Sequence, residues 1–361
     1  MKATSLLHDL GQSIWLDNIT RDLLNSGTLK SYIEEFSVTG LTSNPTIFDQ
    51  AIKKSSSYDD SIREKLAKGE SGEQLFFDVA LEDLTRAADL FRPIWEQTNG
   101  VDGFVSLEVS PLLAYDTKNT IAAAKDLHKR AGRPNLFIKI PGTPAGLPAI
   151  EESIFAGVPI NVTLLFDREQ YVAAADAYMR GIERRIAAGL NPKVASVASV
   201  FISRWDVAIT DKVPAALKNK LGIAIAGRIY KSYHELLKSP RWQRAFNFGA
   251  IPQRLLWAST GTKDPSAPET LYVQAFASPF TVDTMPENTL KALAKEEKIS
   301  SVMIDDGVAA ENMLKQFAGA GVDIVALAAQ LQEDGAKAFV KSWNELMGVI
   351  SSKSAVLEAA R

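Results

Sequence analysis

The 361-residue sequence predicts an α/β chain folded as a closed (β/α)8 TIM barrel with additional helices. Three observations carry that expectation. Short apolar runs alternate with longer helix-patterned stretches, as parallel strands joined by crossover helices require. Gly or Pro closes each helical stretch, as helix C-termini favour. Roughly eight such units fill a chain of this size, which suits one barrel domain over residues 1–361.

Taken in order, the candidate strands are Ser13–Asp17, Val38–Thr42, Gly103–Val109, Leu136–Ile140, Pro159–Leu164, Val197–Ile202, Arg254–Ser259 and Phe280–Thr284. Between them, Ser71–Gln97 has apolar residues at helical spacing and stops near Asn99-Gly100. Asn119–Ala131 stops at Gly132-Arg133-Pro134, Arg168–Ala188 at Gly189, and Pro214–Leu237 at Ser239-Pro240. A helical insertion is expected around 49–100. The stretch from Asp305 to Arg361 reads as helical, with turns near Gly319-Ala320-Gly321 and Asp334-Gly335. It supplies the last barrel helix and a C-terminal helical extension around 325–361. The loop-like Gly261–Thr270 follows a strand, where barrels build their sites.

Composition narrows the chemistry. A formal net charge of -3 argues against a nucleic-acid or membrane-surface partner, so an anionic ligand needs a local basic cluster. The absence of cysteine excludes disulfides, thiol catalysis and thiolate metal sites. His8, His128 and His234 lie far apart, which argues against a metallohydrolase; neither metal nor cofactor is expected. Residues Met1 to Leu16 lack a basic segment followed by a long apolar one, and no run nears the roughly 18 apolar residues of a membrane span. The expectation is a cytoplasmic protein, with any homo-oligomeric state left open.

Lys139 is the most telling residue. It lies inside Leu-Phe-Ile-Lys-Ile-Pro-Gly, an apolar run closed by a Pro-Gly break. A lysine there either faces solvent from one side of a sheet or is buried. A buried ammonium is costly unless it is paired or loses its proton. A buried lysine that sheds its proton is a nucleophile suited to carbonyl substrates.

Strand alternation gives Lys139 its company, because residues i and i+2 share a face. Thr42 and Asn44 share one at the end of the second strand, Asn161 and Thr163 in the fifth, and Ser199 and Phe201 in the sixth, with Arg204 just beyond. Asp17 ends the first strand, Glu108 the third and Ser259 the seventh. Each polar group alone reads as an internally satisfied hydrogen bond. Together they describe a polar pocket at the C-terminal mouth of the barrel.

That set can do aldol chemistry. A neutral lysine amine attacks a ketone and forms an iminium, which lets a neighbouring carbon–carbon bond break to an enamine. Glu108 is the candidate acid/base, directly or through a water held with Thr163. Asp17 is suited to taking a proton from the hydroxyl whose carbon is released. Asn44 and Asn161 can hold hydroxyls of the carbon chain, with Thr42 and Phe201 beside them. The alternative for both carboxylates is simple ion pairing with Lys139. Arg204 and Lys263, with the hydroxyls of Ser199 and Ser259, form a candidate phosphate cradle; the alternative is a pair of solvated surface cations.

Leu41-Thr-Ser-Asn-Pro-Thr-Ile-Phe48, Phe137-Ile-Lys-Ile-Pro-Gly-Thr143, Ile160-Asn-Val-Thr-Leu-Leu-Phe166 and Ser196-Val-Ala-Ser-Val-Phe-Ile-Ser-Arg204 resemble the signature segments of transaldolases. Trp257-Ala-Ser-Thr-Gly-Thr-Lys263 resembles the longer-chain branch of that family. The resemblance implies a metal-free, class I enzyme of the pentose phosphate pathway. It would move a dihydroxyacetone unit from sedoheptulose 7-phosphate to glyceraldehyde 3-phosphate, giving erythrose 4-phosphate and fructose 6-phosphate. It assigns the Schiff base to Lys139 and functional positions to Asp17, Asn44, Glu108, Asn161, Thr163, Ser199 and Arg204. Many relatives carry Ser-Phe-Arg after the seventh strand; here Ser259-Thr260-Gly261 stands instead, and Lys263 is the candidate substitute. Fructose 6-phosphate aldolase activity, with the same lysine but release of the enamine to water, is the near alternative. A catalytically silent sugar-phosphate-binding barrel is the distant one.

Overall fold

The computed structural model describes residues 1–359. Within them eight strands close a barrel in chain order, with every neighbouring pair parallel. They are β1 (Ser13–Asp17), β2 (Val38–Thr42), β3 (Val105–Glu108), β4 (Leu136–Pro141), β5 (Ile160–Leu165), β6 (Ser196–Phe201), β7 (Gln253–Ala258) and β8 (Val282–Met285). All eight expected strands are present. The first two keep the expected limits, the fourth gains one residue, and the others shift by one or two residues at both ends.

The lower end of the barrel is filled by rings. Trp15 of β1 and Phe137 of β4 lie 6.1 Å apart between centroids, both buried. Gly40 on β2 makes room for that indole: a Cβ there would sit 2.6 Å from it. Below the rings, Asp102 accepts from Trp15 Nε1 at 2.9 Å and from the Ser13 hydroxyl. Arg254 donates to Ser13 Oγ at 2.7 Å and to the Thr281 carbonyl at 2.8 Å. Asp102, Trp15, Ser13 and Arg254 thus satisfy one another at this end, and barrels of this kind build their ligand sites at the other.

Three helices, Pro45–Lys54, Asp59–Ala67 and Gly72–Gln97, lie between β2 and β3. The first starts with Asn44 as its N-cap and Pro45 at its first position, a pairing that satisfies an orphan N–H and presets the backbone. Two expectations need correction. The stretch read as one helix over Pro214–Leu237 divides into a 3-10 turn, Ala215–Leu217, and a helix, Leu221–Lys238. The buried Asp206 carboxylate sets the second start by accepting the Leu221 and Gly222 N–H groups at 2.9 and 3.1 Å.

The expected turn at Asp334-Gly335 is also absent. Helix Val308–Gly319 is followed by a single helix over Ile324–Ala359 that runs straight through it. Glycine inside a helix costs about 1 kcal/mol relative to alanine. Here close packing accounts for it: a Cβ on Gly335 would lie 2.9 Å from Leu164 Cδ2 and 3.1 Å from Arg204 Nη1. Residues 360 and 361 of the expected extension lie outside the described residues.

The C-terminal helix crosses the upper mouth of the barrel. Gln332 donates to the Gly142 and Leu164 carbonyls at 3.1 and 3.0 Å, just past β4 and within β5. Ser342 accepts from Thr46 at 2.9 Å. Lys353 caps the end of helix Pro45–Lys54 through the carbonyls of Ile52 and Ser55, at 2.9 and 2.6 Å, and pairs with Asp59 at 2.7 Å. Among the described residues no helix is long and apolar enough to cross a membrane.

One buried carboxyl on β8 makes stability depend on pH. Asp283 is fully buried and receives the Thr260 hydroxyl at 2.9 Å. Burial raises its pKa from near 3.8 to about 7, against the Thr260 hydrogen bond. The native state therefore holds a proton that the unfolded chain releases. The stability tied to it is complete below pH 3.8 and is lost as pH rises through 7. At about 1.4 kcal/mol per pH unit, the loss is on the order of 4 kcal/mol. Asp283→Asn is expected to melt above the parent at pH 8, with a smaller gain at pH 5. Equal gains at both pH values in a thermal melt would count against this account.

Candidate active site

Strand register brings the candidate groups to one level. Glu108 of β3 pairs with Lys139 of β4, and Lys139 with Asn161 of β5. Lys139 Nζ lies 3.3 Å from Glu108 Oε2 and donates to the Ser43 carbonyl at 3.3 Å. Both side chains of the pair are almost fully buried, at 5% and 3% exposed, so the lysine does not face solvent. The contact is an ion pair without the alignment of a hydrogen bond. Both carboxylate oxygens of Glu108, and the Thr163 hydroxyl, have no hydrogen-bond partner among the described residues.

The two carboxylates are both pushed toward their protonated forms. Burial raises Glu108 above its ordinary range; Lys139 opposes this, the charge of Asp17 adds to it, and Arg204 weakly opposes. Burial also raises Asp17, against Lys139, the Thr42 hydrogen bond and the more distant Lys263. Thr42 donates to Asp17 Oδ1 at 2.7 Å and lies 2.7 Å from the Thr284 hydroxyl. When Asp17 is ionised its oxygens only accept, so Thr42 then spends its one proton on Asp17 and accepts from Thr284.

The other candidates divide. Asn161 accepts from Ser199 at 2.7 Å and donates to Ser106 at 3.1 Å, so it is held in place by β6 and β3. Asn44 spends its Oδ1 on the Ile47 N–H at 3.1 Å, which leaves its NH2 as the group to offer a ligand. Asn44 and Arg204 line one cavity of about 590 Å³, together with Asn18, Thr20, Lys54 and Phe339. Phe201 lies with its ring 5.3 Å from the Arg204 Cζ. Ser259 takes a left-handed φ of 56° and its hydroxyl meets Ser203 at 2.8 Å. Lys263 lines a different cavity, of about 360 Å³, with Asp206, Lys218 and Tyr272. Its charge still acts on Asp17.

Several residues of the site carry little or no mark in the sequence. Thr284, near the end of β8, is the exception: it obeys the same alternation that marks Thr42, and that signal would have found it. The Ser43 carbonyl is backbone and has no side-chain signature. Gln332 and Phe339 come from the C-terminal helix, where an amide and a ring at helical spacing look like any packed face. Among the described residues no group of three or more His, Cys, Asp or Glu could hold a metal ion.

A family model described as Transaldolase/Fructose-6-phosphate aldolase matches residues 14–350. The chain belongs to the transaldolase/fructose-6-phosphate aldolase family. It is similar to the transaldolase of Arthrobacter sp. (strain FB24), at 43% identity over 96% of this chain and 95% of the relative. It is also 43% identical to the transaldolase of Saccharopolyspora erythraea, over 95% of each chain. Similarity extends to transaldolase 2 of Nostoc punctiforme, at 39% identity over 96% of each. The family is one of enzymes, and the barrel, the strand order and the signature segments of this chain accord with membership.

Proposed function

We propose that this protein is a transaldolase, carrying a dihydroxyacetone unit from sedoheptulose 7-phosphate to glyceraldehyde 3-phosphate on Lys139. The observation that carries the reading is the buried Lys139–Glu108 pair at the C-terminal mouth, with Asp17 close enough to act on both.

Lys139 gives its proton to Glu108, which burial favours as a neutral acid. The free amine attacks the C2 ketone of the donor. Glu108, with Thr163 holding a water, returns a proton to the departing hydroxyl, and the iminium forms. Asp17 then takes the proton from the C4 hydroxyl. The C3–C4 electron pair moves into the iminium, erythrose 4-phosphate leaves, and an enamine remains on Lys139. Attack of the enamine on the acceptor aldehyde reverses these steps, Asp17 returning the proton to the new alkoxide. Water then releases fructose 6-phosphate. The NH2 of Asn44 and the Asn161–Ser199 pair face the donor hydroxyls beside Thr42. Arg204 takes the phosphate, with Phe201 against its guanidinium, and Lys263 and Ser259 add to the field on that side. The same reading carries the expectation of a cytoplasmic enzyme.

The family also includes enzymes described as fructose-6-phosphate aldolases, so the test measures the fate of the enamine. With fructose 6-phosphate as donor, turnover is expected to depend on added erythrose 4-phosphate, and free dihydroxyacetone is expected to be a minor product. Release of dihydroxyacetone at the same rate without acceptor would assign aldolase activity instead. In the same assay, Lys263→Ala is expected to weaken phosphorylated acceptors several-fold more than glyceraldehyde; equal losses would remove Lys263 from the phosphate side.

A further inference from the structure

Arg204 is held in an unusual way. It follows β6 at the mouth and is only partly exposed, yet it makes no hydrogen bond or ion pair among the described residues. A buried guanidinium ordinarily spends its donors on carboxylates or carbonyls. Here the contacts are with flat carbon surfaces. The Phe201 ring lies 5.3 Å from Cζ and the Phe339 ring 5.8 Å, with the two rings 6.3 Å apart at 62°. Gly335, one turn before Phe339, presents no side chain, and an added Cβ would fall 3.1 Å from Nη1. Asp334 acts on Arg204 only as a more distant charge.

Cation–π contact fixes the plane of a guanidinium while consuming none of its five N–H groups. The same Phe339 ring also lies 5.7 Å from Lys139 Nζ. One ring from the C-terminal helix thus faces both the Lys139 amine and the Arg204 guanidinium.

We propose that Phe339, with Gly335 beside it, is a positioning residue for the anion site. It holds Arg204 through its ring face so that all five donors stay free for a phosphate, which makes the C-terminal helix a part of substrate selection. This rests on Arg204 being the phosphate ligand, as proposed above. Phe201 alone would leave the guanidinium with one ring to fix its plane, and a carboxylate in place of Phe339 would occupy the donors the phosphate needs.

The experiment measures kcat and KM separately for a phosphorylated acceptor (erythrose 4-phosphate) and an unphosphorylated one (erythrose), in folded enzyme checked by thermal melts. Phe339→Leu keeps the apolar bulk and removes the ring face. It is expected to raise KM for erythrose 4-phosphate about ten-fold while changing KM for erythrose less than two-fold. Phe339→Trp is expected to restore most of the loss. Gly335→Ala, a change that helix propensity alone would favour, is expected to raise the same KM. An unchanged KM in Phe339→Leu, or equal losses on both acceptors, would overturn the proposal. Arg204→Leu separates the two readings. If it too affects both acceptors equally, the phosphate assignment of Arg204 is wrong. If it is selective while Phe339→Leu is not, the assignment stands and the role of Phe339 falls.

Discussion

Lys139→Met is expected to reduce transfer by on the order of 10⁴-fold or more, the scale seen when a covalent nucleophile is removed. Methionine keeps the unbranched shape and fills the apolar run of β4, so the barrel is expected to fold. The substitution does leave Glu108 buried without its cation, which burial already pushes toward the neutral acid. A protonated carboxyl needs no counter-charge, and the stability cost is therefore expected to be modest. The companion measurement is covalent. After C3–C4 cleavage of fructose 6-phosphate, protonation of the enamine carbon gives the dihydroxyacetone iminium, and borohydride should reduce this to a stable secondary amine, leaving a three-carbon adduct on Lys139 of the parent and none on the Lys139→Met variant. An adduct on another lysine, or retained turnover in Lys139→Met, would sink the assignment.

Glu108→Gln is expected to lower turnover by about 10²–10⁴-fold, the usual contribution of a placed acid–base group. Glutamine preserves volume but cannot accept the lysine proton or return it to the departing water. The loss is expected in kcat for the phosphorylated donor, with KM little changed, because Glu108 lies against Lys139 and not along the cavity that Arg204 lines. The pH profile supplies a second readout. Glu108 is raised above the ordinary carboxylate range by burial, so the limb it controls in the parent enzyme is expected above pH 4.5 and to vanish in the variant. A profile that keeps that limb in Glu108→Gln would shift the role to Asp17, whose proton affinity is raised for the same reason.

The strands were legible because an apolar run bounded by Gly and Pro leaves few alternatives, and their alternation pointed Glu108, Lys139, Asn161 and Thr163 into one pocket. The setting of Lys139 was legible in part: a charge in such an apolar run is either solvated or buried with a partner, and the structure buries it against Glu108. Asn44 shows where this logic stops. An Asn followed by Pro is a helix-cap signature as much as a sugar ligand, and half of its amide is spent on the Ile47 N–H. Asp334-Gly335 misled in the other direction. A pair that usually turns the chain instead marks close packing against Leu164 and Arg204, which only tertiary neighbours reveal. Phe339 carried no local mark, because its partners Lys139 and Arg204 lie far away along the chain.

The crossing of the mouth by Ile324–Ala359 has a bearing on biosynthesis. All eight strands emerge from the ribosome before this helix does, so Lys139 is synthesised well before the segment that covers it. The upper end of the barrel is therefore complete only once Gln332, Phe339 and Lys353 have been added.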